Sequence, residues 1–210
     1  MGGSILRTQR DRWLAAGAIW GPGLLIIAWV VGGLMVDGYS PVEDHISDLA
    51  AVDAPSRVVM NIGFAAFGVG VGTSAWPLRR FIGKPAALAL GINAALVLGV
   101  ILTPAGRSSA TDVLHGGLAI FSYLSLTMVT PLAAWTFRRR GLTNWAIASL
   151  VVGLITAFCL WVSLLDTTSS GLFQRIGLTT TDLWLMVLGI AFVTGRFWSD
   201  KKVAAHLSPQ

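Results

Sequence analysis

The chain has 210 residues, 54% of them hydrophobic and 12% charged, with a net charge of +5. That balance excludes a soluble globular domain. The basic surplus falls between apolar runs and not in one patch, which excludes a nucleic-acid binder, and a single cysteine, Cys159, excludes disulfides and thiolate metal clusters.

The first apolar segment, 13–36, is longer than the roughly 7–15-residue core of a signal peptide, and no small-x-small cleavage site follows it. It is therefore read as a retained span, with Gly21-Pro22-Gly23 predicting a kink because proline removes a backbone donor. Further spans are predicted at 58–77, 86–103, 112–135, 144–165 and 180–197, each close to the ~20 residues a helix needs to cross the hydrocarbon core. Only helices or closed barrels satisfy their backbone in lipid, and the alternating polarity of barrel strands is absent. The fold class is thus all-α, a single six-helix transmembrane domain with no stretch left for a soluble one. Gly63, Gly68, Gly70 and Gly72 predict close helix packing in the second span. Cys159 reads as a packing residue, and the tail 203–210, with His206, as inert.

Orientation follows from the basic residues. Arg7, Arg10 and Arg12 precede the first span, and Arg79, Arg80 and Lys84 separate the second from the third. Arg138, Arg139 and Arg140 separate the fourth from the fifth, and Arg196, Lys201 and Lys202 close the sixth. Only Arg57, Arg107 and Arg175 lie on the other side, so both termini are predicted to be cytoplasmic. Trp13, Trp76, Trp135, Trp145 and Trp198 fall at the same boundaries, where amphipathic rings favour the headgroup level. Asp11 and Asp200 share that side, whereas all other carboxylates fall on the external side. Acidic residues contribute little to topology, so this asymmetry points to a functional external face.

Three polar groups converge on that face. The first loop, residues 37–50, holds Asp37, Glu43, Asp44, Asp48 and His45. Ser40-Pro41 followed by two acids reads as a helix start, predicting a short interfacial helix over about 41–51 with His45 and Asp48 on one face. At the outer end of the fourth span, Asp112 and His115 are three apart, Ser122 continues their face, and Arg107 precedes them. The last external loop contributes Asp166, Gln174, Arg175 and Asp182, with Thr179 placed as a helix cap. Arg57 and Asn61 stand at the entrance to the second span. Asn93, in the third, is read as interhelical glue.

Ionisable groups at membrane depth are costly and mark functional sites by default. These residues suit three chemistries: a zinc or other divalent metal site on His45, His115, Asp48 and Asp112; a metal-free acid/base pair; or an anion clamp by Arg57, Arg107 and Arg175. The structural alternative is that each arginine pairs with a neighbouring acid and that His115 makes an interhelical hydrogen bond. No HExxH or comparably specific ligand spacing is present.

His45-Ile-Ser-Asp-Leu-Ala50, with Ala54-Pro55 and Asn61-x-Gly63, resembles the first motif of domain of unknown function family 998. Asp112-x-x-His115-x-x-x-Ala119 resembles its fourth-span motif, and Gly171-Leu-Phe-Gln-Arg175-Ile, with Trp184 following, its last-loop motif. The resemblance implies a six-span protein of a bacterial or archaeal cytoplasmic membrane. The family is distantly similar to the group containing the damage-regulated autophagy modulators, which implies work on membrane lipids or their distribution. The expectation is an enzyme acting on a lipid or isoprenoid-like substrate at the external leaflet. His115, oriented by Asp112, would serve as acid/base or metal ligand, completed by His45 and Asp48. Arg175, Arg107, Arg57, Asn61, Ser47 and Asp182 would bind the substrate. The alternative is a non-catalytic lipid-binding, lipid-distributing or sensing protein. A membrane lipid is the expected partner in both, and oligomeric state is not fixed.

Overall fold

The computed structural model describes residues 8–165 and 168–195. Arg7, Asp166, Arg196, Trp198, Asp200, Lys201, Lys202 and the tail 203–210 lie outside the described residues. The elements are α1 (Gln9–Ala15), α2 (Gly17–Leu34), a short 3-10 helix (Ile46–Ala50), α3 (Arg57–Ile82), α4 (Lys84–Leu102), α5 (Ser109–Arg139), α6 (Thr143–Leu165) and α7 (Ser170–Thr194). Taking α1 and α2 as one span, six helices are long and apolar enough to cross a membrane. Among the described residues there is no strand, and the protein is a multi-span all-α membrane protein.

Local chemistry sets the helix ends. Thr8 caps α1 by accepting from the Asp11 amide, and Ser108 caps α5 by accepting from the Thr111 amide. The turn between α3 and α4 is one residue, Gly83, at φ +90°, a conformation that an added Cβ would oppose. Pro22, where a kink is predicted, does not end the helix. It is accommodated inside α2, and the break falls earlier, at Ala16, where two helices meet end to end.

Each span packs on the next in chain order, and α7 returns to α1 and α2, closing the six spans into a ring. The four glycines of α3 divide between its two neighbours. Gly63 and Gly70 face Ala28, Gly17 and Gly21 of the first span, whereas Gly68 and Gly72 face Leu98 and Ala94 of α4. The outward surface of α6 is a stripe of exposed apolar side chains, including Ile147, Leu154, Phe158 and Trp161, as a lipid-facing helix requires.

One end of the ring is basic and bonded together. Arg80 pairs with Asp11 at 3.4 Å, and Arg140 donates to the carbonyls of Arg80 and Phe81 at 2.9 and 2.6 Å. Arg12 donates to the Val193 carbonyl, and Arg79 lies over the Trp76 ring. The opposite end is closed by the first loop.

Several expected boundaries move, two of them at the polar face. The interfacial helix predicted over 41–51 is a turn at 41–44 followed by the 3-10 helix. Its start is displaced because the Asp44 carboxylate accepts the Ser40 amide at 2.8 Å, which holds a turn instead of opening a helix. The last span begins at Ser170, ten residues before the predicted 180. Thr179 is therefore inside α7 and not a cap, and Thr180 and Thr181 bond back to the carbonyls of Ile176 and Gly177.

Candidate functional site

The first loop folds inward as a plug. Ile46, Leu49 and Ala50 of the 3-10 helix are buried in the bundle's apolar core. His45 and Asp48 form a reciprocal cap at the start of that helix: the His45 side chain accepts from the Asp48 amide, and the Asp48 carboxylate accepts from the His45 amide at 2.8 Å. The predicted three-residue spacing does bring the pair together, and its first use is to hold the loop.

The plug is tied down from three sides. Ser56 at the base of α3 donates to the Leu49 carbonyl at 2.7 Å, and the Val52 amide donates to Ala105 in the α4–α5 connection. The third side is α7. Its Leu172 amide, one of the donors left free at a helix start, donates to the Val42 carbonyl at 2.9 Å. The Ser170 hydroxyl donates to Glu43, and Gln174 accepts from the Ile46 amide at 2.8 Å.

Arg175, only 6% exposed, is the centre of this junction. Its guanidinium donates to the carbonyls of Pro41, Asp44 and Gly171 at 2.9, 2.7 and 2.9 Å and to the Tyr39 hydroxyl, and it lies near the faces of Trp29 and Tyr39. The Tyr39 hydroxyl in turn donates to the His45 carbonyl at 3.1 Å. That bond needs the phenolic proton, and burial pushes the phenol up to about 12 despite the pull of the Arg175 cation. Tyr39 was not singled out from the sequence. As one of only two tyrosines, beside the acidic loop, it was the available signal.

Beneath the plug lies an open cavity of about 640 Å³, a vestibule. The loop gives it Glu43, Asp44, His45, Ser47 and Asp48. The α5 helix gives it His115, and Ile120, Leu160 and Leu164 from α5 and α6 make an apolar wall. A second, smaller cavity of about 70 Å³ lies deeper, against Phe64, Phe67 and Leu126, and includes Asn93, Tyr123 and Asp182. Ser47, Ala119, Tyr123 and Gln174 line both, so the two adjoin.

His115 is 7% exposed, and its Nδ1 lies 2.7 Å from the Thr103 carbonyl oxygen. A carbonyl only accepts, so Nδ1 carries the proton and Nε2 is left as an acceptor. Nε2 is buried and has no protein partner. The sequence predicts that Asp112 orients this ring, and it does not. Its carboxylate accepts the Gly106 amide at 2.8 Å, because the glycine turn brings that amide nearer than the imidazole. Among the described residues no three His, Cys, Asp or Glu side chains come together to hold a metal ion, so the set His45, His115, Asp48 and Asp112 is not assembled.

Nor does the structure gather an anion clamp. Arg175 is spent on loop carbonyls, Arg57 donates to the Val52 carbonyl at 3.4 Å, and Arg107 is exposed in the α4–α5 connection. Asn61, on α3, lines neither cavity, whereas Ser47 lines both and Asp182 lines the deeper one. Asn93 acts as glue through one atom only, its Nδ2 donating to the Ser122 carbonyl at 2.8 Å.

The family model described as "Protein of unknown function (DUF998)" matches residues 19–191. The chain belongs to this family. Every residue lining the two cavities falls within the DUF998 match. No curated protein and no solved structure matches the chain.

Proposed function

We propose that this DUF998 protein is a lipid-binding protein of the cytoplasmic membrane, taking the head end of an amphiphile into the vestibule. The observation that carries this reading is the two-sided lining. Carboxylates and an imidazole lie on the loop side, and aliphatic side chains of α5 and α6 lie opposite. A lipid's head-to-tail junction needs that juxtaposition. With Glu43, Asp44 and Asp48 in the lining and no Lys or Arg there among the described residues, the favoured head is amine-bearing or rich in hydroxyls. The basic end of the ring faces the cytoplasm in this reading, and the vestibule faces the external leaflet. A Ser47→Cys variant should then react with a membrane-impermeant thiol reagent in intact cells, since Cys159 is buried. Protection of that cysteine would overturn the sidedness.

Gly116 provides the test of the vestibule itself. It lines the cavity, and a Cβ added there meets nothing within 4 Å. Gly116→Leu should fill the space while gaining about 0.5–1 kcal/mol of helix propensity. Native mass spectrometry of the gently solubilised protein should show a lipid adduct on wild type that Gly116→Leu lacks at an equal or higher Tm. Gly117→Leu, one residue along and outside the lining, should keep it. The same adduct on all three proteins would sink the proposal.

A second reading, acid/base catalysis on the bound lipid, rests on His115, whose fixed Nδ1–H leaves Nε2 free to take a proton. His115→Asn should then fold and hold a lipid differing in mass from that on wild type, the unconverted substrate. If the imidazole only ties α5 to Thr103, the lipid mass is unchanged. His115→Ala then lowers stability by about 1–3 kcal/mol through the stranded carbonyl.

A further inference from the structure

The deeper cavity carries a feature that lipid binding does not use. Asn93 and Asp182 are each 2% exposed and Tyr123 is 5% exposed, and all three line it. Each has a buried oxygen with no hydrogen-bond partner: Asn93 Oδ1, Tyr123 Oη and Asp182 Oδ1. Native proteins leave few buried polar atoms unpaired, and an unpaired group that persists calls for a ligand or a function. The three residues, from α4, α5 and α7, line one cavity together with Leu25, Phe64, Phe67, Val97 and Leu126.

The chemistry of these atoms selects the ligand. Asn93 already uses its amide nitrogen on the Ser122 carbonyl, so its acceptor is the atom left unpaired. Gln174, which also lines the cavity, already accepts from the Ile46 amide. The buried oxygens left unpaired are one carboxylate, one amide and one phenolic oxygen; the Ser47 and Ser122 hydroxyls and the Gln174 amide group also line the cavity, and no Lys or Arg does among the described residues. Hard oxygen donors of this kind suit cations that carry no strong preference for nitrogen or sulfur. One carboxylate in an apolar wall is neutralised by one positive charge, whereas a divalent ion would leave a net charge in low dielectric. About 70 Å³ is room for a small ion with a few waters and too tight for a lipid headgroup.

We infer that the deeper cavity is a binding site for a small monovalent cation, a bare alkali ion or a primary ammonium, held by Asp182, Asn93 and Tyr123. The adjoining vestibule supplies the approach, because Glu43, Asp44 and Asp48 in its lining raise the local concentration of cations. This assignment does not depend on what the vestibule holds.

The test is thermal unfolding of the full chain in detergent at constant ionic strength. Sodium, potassium or methylammonium chloride is titrated against N-methylglucamine chloride, whose cation is too large for the cavity. Wild type should show a saturable rise in Tm with at least one of the three salts, and the salt that acts separates an alkali ion from an ammonium source. Asp182→Asn should unfold at a Tm independent of the cation. Tyr123→Phe removes only an oxygen that bonds to nothing else in the protein, so it should fold and shift the midpoint concentration by about tenfold. If Asp182→Asn does not fold, Tyr123→Phe decides. A wild-type Tm indifferent to all three cations would overturn the site, leaving Asp182 a protonated core residue. So would an unshifted midpoint in Tyr123→Phe, or a cation response surviving in folded Asp182→Asn. Gly116→Leu should keep the cation response whether or not it loses lipid, so the two readings fail separately.

Discussion

Replacing Arg175 by Gln is expected to destabilise the protein more than any other single change to the polar face. The guanidinium serves the carbonyls of Pro41, Asp44 and Gly171 together with the Tyr39 hydroxyl, and a shorter neutral amide reaches at most one or two of them. A stranded acceptor costs about 1–3 kcal/mol, and several are stranded at once, so the loss should be on the order of 3–5 kcal/mol. The position sharpens the argument. Arg175 lies in the second turn of α7, near the positive end of the helix dipole, where a cation is disfavoured unless local acceptors offset it. The first loop supplies those acceptors. Arg175→Lys should recover only part of the loss, because an ammonium cannot reproduce a planar fork. Thermal unfolding in detergent reads both variants. An unchanged Tm in Arg175→Gln would mean that the loop is held without it, through Ser56, Gln174 and the Leu172 amide.

Gly17→Ala should be of comparable size and for an unrelated reason. A Cβ at Gly17 would overlap the Gly70 carbonyl oxygen and stand 2.8 Å from its carbon, and both obstacles are backbone of a neighbouring span. Neither can rotate away as a side chain could, so α2 and α3 must part along the seam that Gly21, Gly63 and Gly70 also hold close. Overpacking of a well-fitted interior costs about 1–3 kcal/mol, occasionally more, and a rigid backbone obstacle belongs at the upper end. The control is internal. Gly91, on α4, has nothing within 4 Å of an added Cβ, so Gly91→Ala should raise stability slightly through helix propensity. Similar Tm values for Gly17→Ala and Gly91→Ala would refute the close seam.

The two variants mark where sequence reading stops. The α3 glycines were legible, because small residues spaced along an apolar run have one common use, and the structure places all four at helix contacts. Arg175 was legible as a polar residue near the mouth but not as the residue that organises it. Thr168-Ser-Ser-Gly reads as loop, and α7 starts at Ser170 only because the carbonyls of Val42 and Glu43, some 130 positions away in sequence, take donors at its start. His45 and Asp48 illustrate the same limit. Their spacing brought them together as expected, yet spacing alone does not say that the pair serves each other's backbone. Asp112 was placed beside His115 by helical periodicity, and a nearer amide claimed it.

By itself the sequence determined the six apolar spans, their helical nature, the grouping of basic residues and the polar face on the first loop. Hydropathy, backbone satisfaction in lipid and charge counting are properties of segments, and segments are contiguous in sequence. Only the tertiary structure decided which polar atoms are spent and which remain free. It assigned Arg175 to two loop carbonyls and one of its own helix, left Nε2 of His115 without a partner, and brought Asn93, Tyr123 and Asp182 from three helices onto one cavity. A hydrogen bond is made by whichever group lies nearest in space. That is settled by ring closure between helices far apart in the chain, which no local pattern encodes.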